Sequence, residues 1–171
     1  MQPKISDTRQ IILMGMSFYG DPFDTHSGWD EENHIGRLYK RFMGYLSQHP
    51  EAVQKHSQCH AMYEVHIYND ETQEKGVFEV FVGMECCEED ITDVPVELSV
   101  KVLPSTQYAI FTFSGEQINS DWEKVLQTWL AASDYRTSYS YNFQYYDERF
   151  KGLDHLGESV LDVYIPIEKA T

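Results

Sequence analysis

The sequence predicts an α+β domain made of two copies of a βαββ unit, in which antiparallel sheets carry their helices on one side and enclose a central cleft. Three observations support this fold class. The chain has 171 residues and an apolar fraction of 42%, which suits one domain with its own core. Two segments show apolar stripes at helical period among shorter strand-like segments. The two stripes also repeat one spacing, so we expect pseudo-twofold halves at about residues 9–87 and 96–167 of a single domain covering residues 1–171.

The first half is predicted to run strand, helix, strand, strand. Residues 9–19 are rich in Ile, Leu, Met and Phe, and a Gly-Asp-Pro turn ends this strand. Residues 31–48 carry apolar side chains at helical period, and a His-Pro pair ends the helix. Residues 60–68 alternate between two faces, as a strand does. A polar turn then leads into a hairpin partner over residues 77–87.

The second half is predicted to repeat this order. Residues 96–103 and 106–113 read as two strands that a proline separates. A helix is expected to begin at an Asn or Ser cap and to cover about residues 119–132. Residues 139–146 and 160–167 are the last predicted strands.

The two helices share one pattern of apolar positions. At offsets 0, 4, 7, 8 and 11, the first helix has Ile35, Tyr39, Phe42, Met43 and Leu46. The same offsets in the second helix are filled by Ile118, Trp122, Val125, Leu126 and Trp129. Because a similar strand precedes each helix, the order and the spacing together indicate a duplicated unit. A cleft between two such halves is a preferred place for a ligand.

The charge balance excludes several partners. The chain has 28 acidic residues against 13 Lys and Arg, a formal net charge of −15. We therefore expect no direct nucleic-acid binding and no attraction to an anionic membrane. The N-terminus has no signal-peptide pattern, and the longest apolar run is too short to span a bilayer. Three cysteines, two of them adjacent, do not form a disulfide framework, so we expect a cytoplasmic protein.

Several segments together resemble one known family. They are residues 107–115 (QYAIFTFSG), 122–135 (WEKVLQTWLAASDY), 143–150 (FQYYDERF), 162–167 (DVYIPI), 35–42 (IGRLYKRF) and 82–85 (VGME). They are similar to the motifs of the GyrI-like small-molecule-binding family, which includes the effector-binding domains of AraC-type and multidrug-sensing regulators. The resemblance covers nearly the whole chain, and its four C-terminal motifs occur in the family's order.

The resemblance implies two βαββ modules around a central pocket lined by aromatic side chains. Members of the family bind bulky, apolar, often cationic compounds there. In regulators the domain is fused to a helix-turn-helix segment, whereas the first strand here begins near the N-terminus, so the chain resembles a stand-alone member. Some stand-alone members hydrolyse cyclopropane-bearing cytotoxins. No cofactor is implied.

One position departs from the family pattern. The family commonly has a buried Glu where this chain has Gln144. A buried carboxylate can pair with a cation or act as an acid or base, whereas an amide only forms hydrogen bonds. Glu85 lies in the segment that matches another family strand and is the candidate for the missing carboxylate, both as a ligand contact and as a catalytic group.

The candidate ligand-binding residues combine this carboxylate with aromatic side chains. The alternation along residues 139–146 puts Gln144 and Tyr146 on one face, and with Tyr164 they are expected to form a shared pocket wall. Trp122 can equally be a packing residue of its helical stripe. The full predicted set is Trp29, Tyr39, Phe81, Glu85, Trp122, Gln144, Tyr146 and Tyr164.

No metal site is expected. His60, Glu64 and His66 share one face of a predicted strand, but the two histidines are six residues apart, which is about 20 Å along a strand. They cannot coordinate one ion. Three functions therefore remain open: capture of a bulky aromatic or lipophilic, possibly cationic, compound; hydrolysis of an electrophilic toxin with Glu85 as the acid/base group; and docking of a basic protein on the acidic surface.

Overall fold

The computed structural model describes residues 1–26, 28, 31–52 and 60–170. The described strands and helices, in chain order, are β1 (Lys4–Ile5), β2 (Arg9–Gly20), α1 (His34–Gln48), β3 (Met62–Ile67), α2 (Thr72–Lys75), β4 (Phe78–Glu85), β5 (Ser99–Ser114), α3 (Trp122–Ala131), β6 (Tyr135–Thr137), β7 (Tyr141–Tyr146) and β8 (Val160–Lys169). Short 3-10 turns cover Glu88–Asp93, Gly115–Asn119 and Leu153–Glu158.

The strands form one antiparallel sheet that closes on itself. The order along the sheet is β1-β5-β2-β4-β3-β7-β8-β6, and β5 also pairs with β8. The first part of β5 pairs with β2, and its second part pairs with β8. Six strands, from β5 through β2, β4, β3, β7 and β8 back to β5, therefore make a hydrogen-bonded ring. The predicted α+β class with antiparallel pairing is confirmed.

The ring has the symmetry of a duplicated unit. Each half runs strand, helix, strand, strand: β2, α1, β3, β4 in the first and β5, α3, β7, β8 in the second. In each half the third strand lies between the first and the second. The halves meet twice, where the two first strands β2 and β5 pair and where the two second strands β3 and β7 pair.

Three apolar cores fill this architecture. One lies inside the ring and is formed by side chains of β2, β3, β4, β5 and β7. Phe81, Tyr108 and Phe143 are among its buried residues. The other two lie outside the ring. α1 packs Leu38, Phe42 and Leu46 on β2 and β4, and α3 packs on β5 and β8. The strands beneath the two helices therefore carry apolar side chains on both faces, and each half keeps its helix on the outer face.

Several predicted boundaries differ from the structure. The first helix begins at His34 rather than at residue 31, because the side chain of Asn33 accepts a hydrogen bond from the N–H of Gly36 and caps the helix there. The second helix begins at Trp122 and not after an Asn119 or Ser120 cap, because the side chain of Asp121 caps it by accepting a hydrogen bond from the N–H of Lys124; Ile118 lies in the 3-10 turn before it.

The predicted strands 96–103 and 106–113 are one continuous strand, β5. Pro104 is tolerated because it lies in a bulge of β5, where Pro104 and Ser105 stand opposite the single residue Gln10 of β2, close to where β5 changes partner from β2 to β8.

Candidate functional site

The two halves share a polar face on the outside of the ring, where β3 pairs with β7. The register places Glu64 opposite Gln144, and His66 opposite Asn142. Side chains alternate along a strand, so these four residues point to the same side of the sheet. Glu64, His66 and Gln144 are all less than a tenth exposed. Burial of several polar side chains at one junction is unusual, and it marks this face as a candidate site.

Glu64 is the centre of a hydrogen-bond network. Nε2 of His66 lies 2.8 Å from its Oε1 atom. The amide of Gln144 donates to Oε1 at 3.4 Å, and the hydroxyl of Tyr146 lies 3.3 Å from Oε2. Tyr146 also donates to the amide oxygen of Gln144 at 2.7 Å. The carboxylate is thus held in place by side chains from both β3 and β7.

Aromatic rings enclose this network from both halves. Tyr39 reaches over it from α1 and meets Tyr146 edge-on, with ring centroids 6.1 Å apart. Tyr146 in turn packs edge-on against Phe150 at 4.8 Å. Phe78 packs against the ring of His66 at 5.3 Å. Tyr39 and Phe78 belong to the core under α1, and Tyr146 and Phe150 to the core under α3, so the site joins the two outer cores.

The electrostatics keep the tyrosines in their neutral form. Burial, and then the charge of Glu64, raise the pKa of Tyr39 well above its usual value. The same two causes raise the pKa of Tyr146. The hydroxyl of Tyr39 and the amide oxygen of Asn142 are buried and make no hydrogen bond of ordinary geometry. A buried polar atom without a partner is costly, so the amide oxygen of Asn142 offers hydrogen-bonding capacity to a bound molecule, whereas the hydroxyl of Tyr39 already interacts with Glu64 and Tyr146.

Three of the residues predicted from the sequence come together at this face, namely Tyr39, Gln144 and Tyr146. The expected wall of Gln144, Tyr146 and Tyr164 does not form. Tyr164 is the register partner of Phe143, and the two rings stack 4.5 Å apart inside the ring. Gln144 pairs instead with a core valine of β8, so Tyr164 points to the opposite side of the sheet from Gln144.

Glu85 and Phe81 lie on the inner face of the ring. Glu85 forms an ion pair with Arg9 at 2.5 Å and accepts a hydrogen bond from Tyr63 at 2.7 Å. Burial opposes the charge of Arg9, but the Glu85 carboxylate outweighs it and raises the pKa of Arg9. Phe81 is fully buried in the inner core. The negative charge of Glu85 is therefore compensated within the chain, and Glu85 and Glu64 lie on opposite faces of the sheet.

The structure describes one of the two predicted tryptophans. Trp122 begins α3 and packs against the core beneath that helix, which agrees with its alternative interpretation as a packing residue. Trp29 lies outside the described residues.

Sequence reasoning did not select Glu64 for the site, although the alternation of residues 60–68 put it on one face with His66. The missing information was the pairing of β3 with β7. That pairing joins residues 80 positions apart and brings Glu64 opposite Gln144. Nothing within either strand specifies which strand of the other half it meets.

Among the described residues, no three His, Cys, Asp or Glu side chains are placed to hold a metal ion. None of the described helices is long and apolar enough to cross a membrane.

Comparison with known proteins gives consistent matches over nearly the whole chain. The Cass2 family profile, described as an integron-associated effector binding protein, matches residues 4–167. The transcriptional regulator BrlR of Pseudomonas aeruginosa is 30% identical over 171 residues, which is 98% of this chain. The chain spans only 56% of the length of BrlR.

Solved structures with low sequence identity share the fold. SAV2435, solved bound to tetraphenylphosphonium, superposes with a TM-score of 0.68 at 14% identity and covers 98% of this chain and 94% of its own. A hydrolase from Listeria innocua gives a TM-score of 0.56 at 10% identity, with 98% of this chain and 92% of its own covered. At these identities the likeness concerns the fold alone.

Proposed function

Because the chain belongs to the Cass2 family of integron-associated effector-binding proteins, we propose that it captures a bulky, lipophilic cation at the face where β3 and β7 pair. Binding of a small-molecule effector follows from the family, and the class of effector is our proposal. One observation carries it: Glu64 is buried among aromatic rings at the junction of the two halves, and no Lys or Arg of the described chain pairs with it.

The chemistry of the face suits a cation with apolar surface. A buried carboxylate is costly unless an opposite charge approaches it, so a bound cation gains more at Glu64 than at an exposed acidic residue. The rings of Tyr39 and Tyr146 offer electron-rich faces to the same ligand. SAV2435, which has the same fold, binds tetraphenylphosphonium, and this ligand is of the proposed class.

Binding is preferred to hydrolysis for this chain because of how Glu85 is held. Glu85 was the carboxylate expected to act as an acid or base, and it is engaged by both Arg9 and Tyr63 on the inner face. A general base needs a free path to the substrate proton. The fold likeness to a hydrolase does not supply such a group.

The experiment compares two carboxylates with one ligand. Tetraphenylphosphonium is titrated into the protein and into the Glu64→Gln and Glu85→Gln variants, with binding followed by calorimetry. We expect Glu64→Gln to weaken binding by about 30-fold or more, because the cation loses a buried charged partner. Glu85→Gln is the matched control and should leave the affinity essentially unchanged.

Moving the carboxylate provides a stricter test. Gln144 lies opposite Glu64, so the double variant Glu64→Gln with Gln144→Glu keeps one carboxylate and one amide on the same face. It should recover much of the affinity that Glu64→Gln loses. If Glu85→Gln abolishes binding while Glu64→Gln does not, the site is on the inner face and the proposal is wrong.

A further inference from the structure

The carboxylate of the proposed site already has a titratable neighbour. His66 and Glu64 are two residues apart on the same face of β3, with Nε2 of His66 at 2.8 Å from Oε1 of Glu64. Both side chains are less than a tenth exposed. Phe78 packs on the imidazole ring and holds it beside the carboxylate. The charge of His66 therefore affects how strongly Glu64 attracts a charged ligand.

We propose that His66 determines which ligand charge the site accepts, because its protonated form competes with a cationic ligand for Glu64. This inference rests on the proposed function. When His66 is protonated, the pair is neutral, and a second cation gains little from the carboxylate. When His66 is neutral, it can still donate one N–H to Glu64 but leaves the negative charge uncompensated. Binding of a cation is then coupled to release of one proton from His66.

Few other charges can produce the same pH response at this face. β4 contributes Phe78, which does not titrate. Within the described part of the chain, the ionisable groups around the pair are Tyr39 of α1, Tyr146 of β7, Tyr68 after β3 and, at longer range, Glu123 of α3. Burial raises the pKa of each of these three tyrosines, so they keep their protons when histidines titrate.

The coupling between cation binding and proton release from His66 has a definite size, and it acts in both directions. If one proton leaves when the cation binds, affinity rises by up to tenfold per pH unit while His66 is protonated, and becomes constant once it is neutral. A neutral ligand of similar shape has no charge to compete and should bind independently of pH. By linkage, the bound cation must also shift the titration of His66 to lower pH.

The test measures the affinity of the protein for tetraphenylphosphonium and for the neutral triphenylphosphine oxide, from about pH 5 to about pH 8. In the native sequence, affinity for the cation should rise with pH and affinity for the oxide should stay flat. His66→Gln keeps an N–H donor but cannot ionise, so the rise should disappear. His49→Gln is the matched control, since His49 is half-exposed and pairs with exposed Glu51, and it should keep the rise.

The outcomes separate this inference from the proposed function. A flat cation affinity in the native sequence, or a rise that persists in His66→Gln, overturns the role of His66 while cation binding stands. Absence of binding by the cation at every pH overturns the proposed function itself. If His66→Gln does not fold, the side-chain NMR titration of the native histidine with and without tetraphenylphosphonium decides, because an unshifted midpoint contradicts the competition.

Discussion

At the scale of single residues, the proposed site depends on a carboxylate that lies one strand away from the position that the family resemblance leads one to expect. The family resemblance leads one to expect an acid where the chain has Gln144, and the amide of Gln144 is 3.4 Å from Oε1 of Glu64. The two residues are direct register partners. A ligand on this face would therefore meet one carboxylate and one amide in either arrangement, because cross-strand partners on one face are close neighbours.

The buried tyrosines predict how stability responds to alkaline pH. Burial raises the pKa of Tyr146 and of Tyr63 in the folded state. The second cause is the charge of Glu64 for Tyr146 and the charge of Glu85 for Tyr63. Tyrosines of the unfolded chain ionise near pH 10, so the contribution of each buried one is fully present below about pH 10 and is lost as pH rises. Each should lower the free energy of unfolding by about 1.4 kcal/mol per pH unit above that point.

This loss can be assigned with phenylalanine variants. Tyr146→Phe should reduce the slope of stability against pH above about pH 10 by the share of one tyrosine, measured by urea unfolding. Tyr19→Phe is the control, because Tyr19 is 55% exposed and should leave the slope unchanged. Equal slopes in the native chain and in Tyr146→Phe would contradict the assignment.

Sequence reasoning selected part of the proposed site and missed the rest for a physical reason. Tyr39, Gln144 and Tyr146 were selected from the helical stripe and from strand alternation, which are local signals. Glu64 required the pairing of β3 with β7, and Tyr164 required the register of β7 with β8. Register between distant strands is set by packing of the whole core, so it is not visible in either segment alone.

At the scale of elements, local patterns predicted α1, α3 and most strands. They did not predict the short helix α2, which lies in the segment expected to be a polar turn, or the continuity of β5. A proline usually ends a strand, and the prediction divided this segment accordingly. In the structure β5 runs for 16 residues and serves both halves. The bond that Pro104 cannot donate is tolerated because Pro104 lies in a bulge of β5, where Pro104 and Ser105 stand opposite the single residue Gln10 of β2.

The pairing of β2 with β4 yields a prediction about glycine. Gly15 and Gly83 are register partners, and a Cβ on Gly15 would lie 2.0 Å from the carbonyl oxygen of Val82. Backbone cannot move aside easily, so Gly15→Ala should destabilise the fold by at least about 1–3 kcal/mol. Thermal unfolding measures the effect. An unchanged melting temperature would show that the two strands separate at little cost.

A glycine in open space supplies the control. Gly44 lies within α1, and a Cβ there would meet nothing within 4 Å. Gly44→Ala should therefore stabilise the protein by about 0.5–1 kcal/mol, since alanine loses less backbone entropy in a helix. The opposite signs of the two glycine variants test the strand contact rather than a general intolerance of substitution.

At the scale of the whole molecule, the motifs predicted the fold and the family correctly. The match to the Cass2 family and the α+β ring confirm the GyrI-like resemblance. The single closed sheet was not predicted, because closure requires β5 to pair on both sides. The space inside the ring is filled by an apolar core, and the polar junction with its buried carboxylate is on the outside.

Closure predicts that neither half folds alone as a monomer. Cutting the chain within the Glu88–Asp93 turn leaves β2 and β3 without their partners β5 and β7. Unpaired edges of this kind associate with other chains. We expect each fragment to self-associate or to remain unfolded, and a mixture to assemble one-to-one, as measured by size-exclusion chromatography and circular dichroism. A stable monomer of the first fragment would contradict this expectation.

The meeting of the two second strands also bears on how such a protein can diversify. Two separate identical chains, joined by the same edges, would place like residues opposite one another on the axis between them, and facing carboxylates repel. Fusion into one polypeptide lifts that restriction and makes assembly independent of protein concentration. A carboxylate facing an amide, as in Glu64 opposite Gln144, is a combination that two identical strands could not hold on that axis. In a single chain, the pairing of β3 with β7 can therefore carry a carboxylate on one strand and an amide on the other.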